Sequence, residues 1–278
     1  MRVLSTLTLT SLRTRIKTGA VLVTVLAVAL LLAPAPAAAQ EPSTANGEWP
    51  SYGGNLSHDR YSPLAQITAD NFSDLELAWR FNTDNLGPQP ERNYQSTPLM
   101  VNGILYVTAG SRRAAVALDP ATGELQWKFY TVPMTEQDAG IETWPSLDAA
   151  MHGGGQVWVP GSYDPETNYY IFGTGNPTPG YTGVARLGDN LFTCTLIAVD
   201  VETGEMAWYF QTSPHDTHDW DSAQTPILID GVIDGVPRKL VSTAARNGYF
   251  FTIDRVTGEH IVTTRYGATS NWASHIRE

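Results

Sequence analysis

The chain has 278 residues, of which 17 are basic and 28 are acidic, so its formal net charge is −11 at pH 7. A surface this acidic repels nucleic acids and anionic membranes, which excludes electrostatic binding to either. The chain contains one cysteine, Cys194, and therefore cannot form an intramolecular disulfide bond.

The N-terminal segment has the features of a secretory signal peptide. Arg13, Arg15 and Lys17 precede an apolar run from Ala20 to Ala33, and Ala37-x-Ala39 supplies the small residues that a signal peptidase needs. The apolar run is shorter than the about 20 residues of a membrane-spanning helix, although a retained anchor is the alternative interpretation. We therefore predict a signal peptide over 1–39, a mature domain over 40–278 and a periplasmic or secreted location.

The composition of the remaining chain indicates β structure, because glycine, proline and aromatic residues are frequent and no long stretch has helical periodicity. Short apolar runs bounded by turn residues predict strands at 103–108 and 249–253. Asn102-Gly103 is a two-residue hairpin signal, and Arg246-Asn247-Gly248 predicts a second hairpin.

A repeated motif, Asp-x-x-Thr-Gly-Glu, begins at Asp119, Asp200 and Asp254, which are 81 and 54 residues apart. A degenerate copy at Asp164 divides the longer interval into 45 and 36 residues, and this period predicts four-stranded propeller blades. We expect each aspartate to cap its own turn and the glycine to supply a positive φ, so these aspartates receive no catalytic role. The tryptophans of the same units are predicted to pack between neighbouring blades: Trp79, Trp127 and Trp208.

The stretch from Ser213 to Asp221 contains three carboxylates, two imidazoles and an indole. In an extended segment Asp219 and Asp221 would point the same way, and two like charges held close together favour a cation between them. Carboxylates suit a hard cation such as Ca²⁺, and one of the two could also act as a base. The alternatives are an Asp-rich turn that caps backbone N–H groups, and a zinc site formed by His215 and His218, whose spacing is shorter than usual.

The Asp-x-x-Thr-Gly-Glu-x-x-x-Trp repeat resembles the tryptophan-docking motif of pyrroloquinoline quinone (PQQ) dehydrogenases, the quinoprotein alcohol and methanol dehydrogenases. Further segments are similar to the same family: 48–55, 60–64, 95–99, 142–145, 153–155, 173–177, 188–190 and 246–248. The resemblance implies an all-β, eight-bladed propeller that holds PQQ and a Ca²⁺ or lanthanide ion on its axis. This chain would then be a partial β-propeller of four-stranded antiparallel blades.

The resemblance also implies roles for individual residues. Asn176 matches the family's asparagine metal ligand, and Asp219 matches the catalytic aspartate that takes the proton of the substrate hydroxyl. Asp221 stands where lanthanide-dependent members carry an additional carboxylate, with an ordinary turn aspartate as the alternative. Arg246 matches the arginine that hydrogen-bonds the quinone oxygens. Trp158 matches the indole beneath the quinone ring, with a simple core tryptophan as the alternative.

The activity implied is the oxidation of an alcohol in the periplasm, with metal-bound PQQ as hydride acceptor, Asp219 as base and a periplasmic cytochrome c as electron acceptor. Family members are about twice as long as this chain, and residues 127–133 join two stretches that the family separates by roughly two blades. The glutamate metal ligand and an adjacent cysteine pair belong to that absent part. Three interpretations stay open: a truncated or internally shortened dehydrogenase, a propeller completed by a second chain, and a non-catalytic scaffold of the cell envelope.

Overall fold

A computed structural model describes residues 43–83, 94–109 and 113–266. All of them belong to one compact unit, Glu41–Glu278. The predicted signal peptide at 1–39 lies outside the described residues. In the part of the chain that is described, no helix is long and apolar enough to cross a membrane.

The described strands form three antiparallel sheets of four strands each, and strands that follow one another in sequence are neighbours in the sheet. We call these sheets blades 1, 2 and 3. Blade 1 contains β1 (Leu99–Val101), β2 (Ile104–Thr108), β3 (Ala114–Leu118) and β4 (Leu125–Tyr130). Blade 2 contains β5 (Ser162–Asp164), β6 (Tyr169–Gly173), β7 (Thr195–Asp200) and β8 (Met206–Gln211). Blade 3 contains β9 (Ile227–Ile233), β10 (Val236–Ala244), β11 (Tyr249–Asp254) and β12 (His260–Arg265).

Helical structure is sparse in the described residues. One short α-helix, α1 (Leu147–Met151), begins after Ser146, whose hydroxyl accepts a hydrogen bond from the Ala149 N–H. Three-residue 3₁₀ helices occur at Ala45–Gly47, Phe72–Asp74 and Ile141–Thr143. The predicted fold class, an all-β partial propeller of four-stranded antiparallel blades, is confirmed.

Both predicted hairpins are present, and the second is longer than two residues. Asn102 and Gly103 form the two-residue turn between β1 and β2, at φ values of 51° and 79°. Asp234-Gly235, a second two-residue hairpin signal, connects β9 to β10 in the same way. The turn between β10 and β11 spans the four residues 245–248, so the hairpin predicted from Arg-Asn-Gly exists but is longer than two residues.

Each Asp-x-x-Thr-Gly motif forms a self-contained turn between the third and fourth strands of a blade, and we call these the docking turns. In blade 2, Asp200 Oδ1 accepts hydrogen bonds from the N–H groups of Glu202 at 2.9 Å and Thr203 at 3.1 Å. Gly204 has a φ of 74°, a left-handed conformation in which glycine carries no steric cost. The predicted structural role of the aspartates is therefore confirmed.

The tryptophans connect neighbouring blades through these turns. Trp127 of blade 1 donates its indole N–H to the Val201 carbonyl of blade 2 at 2.7 Å. Trp208 of blade 2 donates to the Arg255 carbonyl of blade 3 at 3.0 Å. A Cβ built on Gly204 would come within 2.7 Å of the Trp127 ring, so the turn glycine also makes room for the indole. The predicted packing role of the tryptophans is confirmed.

The three blades share continuous hydrophobic cores. One core joins residues of blade 1, such as Tyr106 and Ala117, to residues of blade 2, such as Tyr170 and Ile197. A second core joins blade 2 to blade 3. Blades 1 and 2 therefore pack directly against each other, although the chain between them contains the junction predicted at 127–133.

One prediction about the repeat is wrong. The motif copy at Asp164 is the turn between β5 and β6, inside blade 2, and does not mark a separate blade. The long interval between the docking turns of Asp119 and Asp200 instead contains the irregular segment 131–161. The Asp-x-x-Thr pattern reports a capped turn, and such a turn can occupy any connection of a blade.

Residues 77–83 repeat the pattern of β4 and β8, with Leu, Trp, Phe and Thr at alternate positions. Trp79 docks in the same way as the other two, donating its N–H to the Pro120 carbonyl of the blade 1 turn at 2.9 Å. The segment nevertheless forms no strand ladder with the described residues, and Leu77 is 73% exposed. It occupies the place of the outer strand of a further blade.

Candidate functional site

Trp158 lies on the segment 131–161 between β4 and β5, and the other four predicted site residues lie on three connections at one end of the blades. These are the β6–β7 connection (174–194), the β8–β9 connection (212–226) and the β10–β11 turn (245–248). Because alternate connections of an antiparallel meander lie at the same end, all three are opposite to the docking turns. The topology thus brings together segments that are distant in sequence, and we call this end the site end.

Asn176 and Asp221 are in direct contact. The backbone N–H of Asn176 donates to Asp221 Oδ1 at 2.9 Å, and the Ser222 N–H donates to the Thr174 carbonyl at 3.1 Å. The side-chain Nδ2 of Asn176 donates to the Pro177 carbonyl at 2.8 Å. Within the described part of the chain, the amide oxygen of Asn176 accepts no hydrogen bond, so it is available to a ligand.

Arg246 lies between the two carboxylates. Its Nη1 is 2.5 Å from Asp221 Oδ2 and 3.5 Å from Asp219 Oδ2. The cation that two adjacent carboxylates require is thus supplied here by a guanidinium group. Asp219 has a φ of 65°, so the segment is not a regular extended strand, yet both carboxylates reach the same side chain.

Burial distinguishes the two aspartates. The Asp221 side chain is 8% exposed, whereas that of Asp219 is 30% exposed. Burial raises the pKa of Asp221, while the Asn176 N–H and Arg246 oppose this effect and the charge of Asp219 adds to it. The hydrogen bond to Asp221 raises the pKa of Arg246 in turn. Asp221 is consequently the enclosed, fully engaged member of the pair, and Asp219 is the accessible one.

Trp158 belongs to the same cluster. A Cβ built on Gly175 would lie 2.5 Å from the Trp158 ring and 3.0 Å from Asp221 Oδ1, so the indole and the carboxylate flank this glycine. Gly154, at a φ of 97°, packs equally closely against the Asn176 backbone, since a Cβ there would lie 2.3 Å from the Asn176 carbonyl oxygen. The structure therefore brings together all five predicted site residues; their chemical roles stay predictions.

Two neighbours of Asp219 were not predicted. The Tyr181 hydroxyl donates to Asp219 Oδ2 at 3.4 Å. A Cβ built on Gly180 would lie 3.0 Å from Asn176 Nδ2 and 3.9 Å from the Asp219 Cβ, so Gly180 separates the two predicted ligands. The only sequence signal for either residue is its closeness to Asn176.

The other polar residues of 213–221 have structural roles. The buried Asp216 carboxylate accepts hydrogen bonds from the N–H groups of His218 and Trp220, both at 3.0 Å, as the capping alternative proposes. His215 Nδ1 contacts the Gly188 carbonyl at 2.7 Å, and the His218 ring stacks on Trp220. Among the described residues, no group of three or more His, Cys, Asp or Glu side chains is arranged to hold a metal.

The donor set nevertheless fits a hard cation. It consists of two carboxylates and one amide oxygen, the ligand types that Ca²⁺ and similar ions prefer. Ca²⁺ takes about 6–8 oxygen ligands, so the remainder would come from water, from a cofactor or from another protein segment. Asp221 could bind an ion through Oδ2 only after Arg246 releases that oxygen.

Comparison with protein families gives a match to the glucose/ethanol/alcohol dehydrogenase β-propeller domain, over residues 49–147 and 134–271. The quinohemoprotein alcohol dehydrogenase ADH-IIG of Pseudomonas putida is 38% identical over 204 residues, which cover 66% of this chain and 28% of the relative. The quinohemoprotein alcohol dehydrogenase of Comamonas testosteroni, a solved structure, superposes with a TM-score of 0.55 at 26% identity, over 84% of this chain and 51% of that one.

The relatives are considerably longer than this chain. Quinohemoprotein alcohol dehydrogenase ADH IIB of Pseudomonas putida is 26% identical over 86% of this chain but only 50% of its own length. That alignment extends over 352 residues, more than the 278 of this chain, so part of the relative faces a gap here. The chain thus covers half or less of the length of each of these two curated relatives.

Proposed function

The chain belongs to the glucose/ethanol/alcohol dehydrogenase β-propeller family, and from that premise we propose that it supplies the base, part of the metal site and part of the quinone site for PQQ-dependent oxidation of an alcohol. One observation carries this proposal. Asn176, Asp219 and Asp221 converge beside Arg246 and Trp158 at the site end, although they come from separate connections.

In this proposal Asn176, Asp219 and Asp221 hold a Ca²⁺ or lanthanide ion. The amide oxygen and the carboxylates are hard donors, and the second carboxylate favours an ion of higher charge. When bound, the metal ion and PQQ together supply the electrophile that accepts a hydride from the alcohol carbon.

Asp219 is the better candidate for the base. Both carboxylate oxygens of Asp221 are engaged, one by the Asn176 N–H and one by Arg246. The contacts of Asp219 to Tyr181 and Arg246 are longer, at 3.4 and 3.5 Å, and its side chain is more exposed. Asp219 can therefore meet a substrate hydroxyl and take its proton without first breaking a short hydrogen bond.

Arg246 and Trp158 provide the quinone side of the site. Arg246 is a fixed cation with a half-exposed guanidinium, suited to hydrogen-bond quinone oxygens and to stabilise negative charge on them. Trp158 offers a flat aromatic surface for stacking against a planar ring. Its neighbour Gly175 leaves the space that the indole occupies.

We expect further blades to complete the site, from a second chain or from another part of the protein. The segment 77–83 docks through Trp79 as an outer strand would, and the described residues contain no other strand paired with it. Blade 3 exposes large apolar side chains that a neighbouring blade would cover: Ile227, Val232, Val236 and Val262. We place the protein in the periplasm, where a cytochrome c would take the electrons, because relatives are named quinohemoproteins and the sequence predicts a signal peptide.

Metal binding is tested with Tb³⁺, whose luminescence is sensitised by nearby tryptophan and tyrosine. We expect saturable binding to the purified chain, weakened at least about tenfold, or 1.4 kcal/mol, by Asp219→Asn and by Asn176→Ala. Asp234→Asn, an exposed carboxylate change in the β9–β10 turn, is the control and should leave the affinity unchanged. Equal affinity in all four proteins would remove the proposed metal site.

The reaction itself is tested by adding PQQ and Ca²⁺ or La³⁺ to the chain and following reduction of an artificial electron acceptor by a primary alcohol. Asp219→Asn should retain PQQ binding but lose about 100-fold or more in rate, the usual contribution of a general base. If the wild-type protein binds PQQ but does not oxidise the alcohol, the chain is a partial propeller that binds the cofactor and lacks catalytic activity on its own. Absence of PQQ binding would favour the scaffold alternative.

A further inference from the structure

Arg186 is a buried arginine that connects the two loops of the site. It lies on the β6–β7 connection and is 1% exposed, and within the described residues its guanidinium donates hydrogen bonds only to neutral oxygens. Nε and Nη2 bond the Pro179 carbonyl at 3.2 and 2.9 Å, and Nη1 bonds Asn190 Oδ1 at 2.8 Å. Nη2 also bonds the Asp216 carbonyl, which belongs to the β8–β9 connection. One guanidinium group thus holds both loops.

In the β8–β9 connection, the contact of Arg186 with Asp216 bears on the position of Asp219. The Asp216 carboxylate is fully buried and accepts hydrogen bonds from the N–H groups of His218 and Trp220, the two residues that flank Asp219. Burial lowers the pKa of Arg186, and the nearby charge of Asp216 opposes this effect. Arg186 therefore holds the Asp216 backbone through its carbonyl, and the Asp216 carboxylate holds the backbone on both sides of Asp219.

On the β6–β7 side, the same guanidinium restrains the segment that follows Asn176. Pro179, whose carbonyl accepts two of its hydrogen bonds, precedes Gly180, the residue between Asn176 and Asp219. Asn190 fixes Arg186 itself, because it is fully buried and its Nδ2 donates a hydrogen bond to the Arg186 carbonyl at 2.8 Å. Arg186 is thus tied to its own connection by Asn190 and to the β8–β9 connection by the Asp216 carbonyl.

A second buried arginine provides a comparison. Arg255 is 4% exposed and forms ion pairs with Asp164, Glu166 and Asp230. It follows the first residue of the blade 3 docking turn, at the end of the blades opposite to the predicted site. Arg255 joins blades 2 and 3, whereas Arg186 joins the two loops that carry the predicted ligands. The two arginines are similarly buried, but Arg255 connects two blades and Arg186 connects two loops, so Arg255 is a suitable control for Arg186.

We infer that Arg186 and Asp216 are positioning residues that set the separation between the Asn176 side chain and the Asp219 carboxylate, and thereby the affinity of the cation site. This inference rests on the function proposed above. Neither residue supplies a ligand in that proposal. Groups that orient ligands in this way typically contribute about 10–100-fold to metal affinity.

The experiment compares Arg186→Lys and Asp216→Asn with the control Arg255→Lys. Tb³⁺ affinity, hydrogen exchange of residues 176–190 and 214–222, and thermal unfolding are measured for each. We expect both site-end variants to bind Tb³⁺ about 10–100-fold more weakly and to exchange faster in both loops. Arg255→Lys should lower the unfolding temperature while the affinity and the exchange of these loops stay as in the wild type.

Each outcome decides the inference. Unchanged exchange of the two loops in both site-end variants would overturn it, as would an equal loss of Tb³⁺ affinity in Arg255→Lys. If Arg186→Lys does not fold, Asp216→Asn, which keeps the size of the side chain, carries the test. If the wild-type protein binds no Tb³⁺, the proposed metal site fails, and the exchange measurements still decide whether Arg186 and Asp216 hold the loops together.

Discussion

The two ends of the blades are built in different ways. At the docking end, Asp200 satisfies the N–H groups of its own turn within three residues, and Asp119 and Asp254 repeat this arrangement. At the site end, the loops depend on partners far away in sequence, such as Arg186 with the Asp216 carbonyl 30 residues on. The docking end can therefore form from local sequence, whereas the site end requires the blades to be assembled first.

The two ends also differ in how completely their charges are paired. Arg255 meets three carboxylates at the docking end and is almost fully buried. At the site end Arg246 is half exposed between two carboxylates, and in the described residues the Asn176 oxygen accepts no hydrogen bond. The fully paired charges at the docking end hold the blades together, whereas the incompletely paired groups at the site end are able to bind a ligand. Mutations at the two ends should accordingly affect different properties.

The largest effect is expected at the docking end, from Trp127→Ala. Its indole fills the space against the blade 2 turn and donates to the Val201 carbonyl, so its removal leaves a cavity between blades 1 and 2. Replacing a buried tryptophan by alanine costs about 3–5 kcal/mol, which we expect as the loss in the free energy of unfolding measured with urea. The Tb³⁺ affinity of the fraction that is folded should not change.

The control for this prediction is Trp127→Phe, which keeps an aromatic ring but loses the N–H donor to Val201. We expect it to cost less than the alanine variant, because the unsatisfied carbonyl accounts for about 1–3 kcal/mol and the cavity is smaller. A Trp127→Ala variant that is as stable as the wild type would contradict the view that the docking end holds the blades together.

A smaller effect is expected from Asp200→Ala. The variant leaves the Glu202 and Thr203 N–H groups of an exposed turn to bond water instead of the carboxylate. Loss of such a capping side chain costs about 1 kcal/mol, measurable as a lower urea midpoint. Asp200→Asn retains an acceptor oxygen and should lose less. If both variants weakened Tb³⁺ binding as well, the two ends of the blade would not be independent.

The same contrast explains which features could be predicted from sequence. The Asn102-Gly103 hairpin, the docking turns and the tryptophan contacts are encoded within a few residues, and the structure confirms them. The motif at Asp164 misled the count of blades because a local turn signal contains no information about which connection of a sheet it forms.

The site end could be predicted only in part. Asn176, Trp158, Asp219, Asp221 and Arg246 were identified by their resemblance to family motifs, and they do lie together. The roles of Arg186 and of the Arg246 ion pair with Asp221 could not be read from the sequence, because they depend on contacts across 25 to 30 residues that exist only after the loops are packed. Where the partner is distant, residue type alone does not identify it.

The smallest perturbation uses Cys194, the single cysteine, as a reporter of the site end. Cys194 is fully buried, donates its N–H to the Gly175 carbonyl at 2.9 Å and accepts the Thr212 N–H at 2.9 Å, so it lies between the two site loops. Burial raises the pKa of its thiol well above the ordinary value, which disfavours the reactive thiolate at neutral pH.

We therefore expect a thiol reagent such as 5,5′-dithiobis(2-nitrobenzoic acid) to label the native protein no faster than the protein unfolds globally, as followed by tryptophan fluorescence. One thiol should react rapidly in denaturant. Labelling that is faster than global unfolding would show that the site loops open as a separate unit while the blades stay folded. The two ends would then differ in the order in which they unfold as well as in their hydrogen bonds, because the site loops would open while the docking turns stay folded.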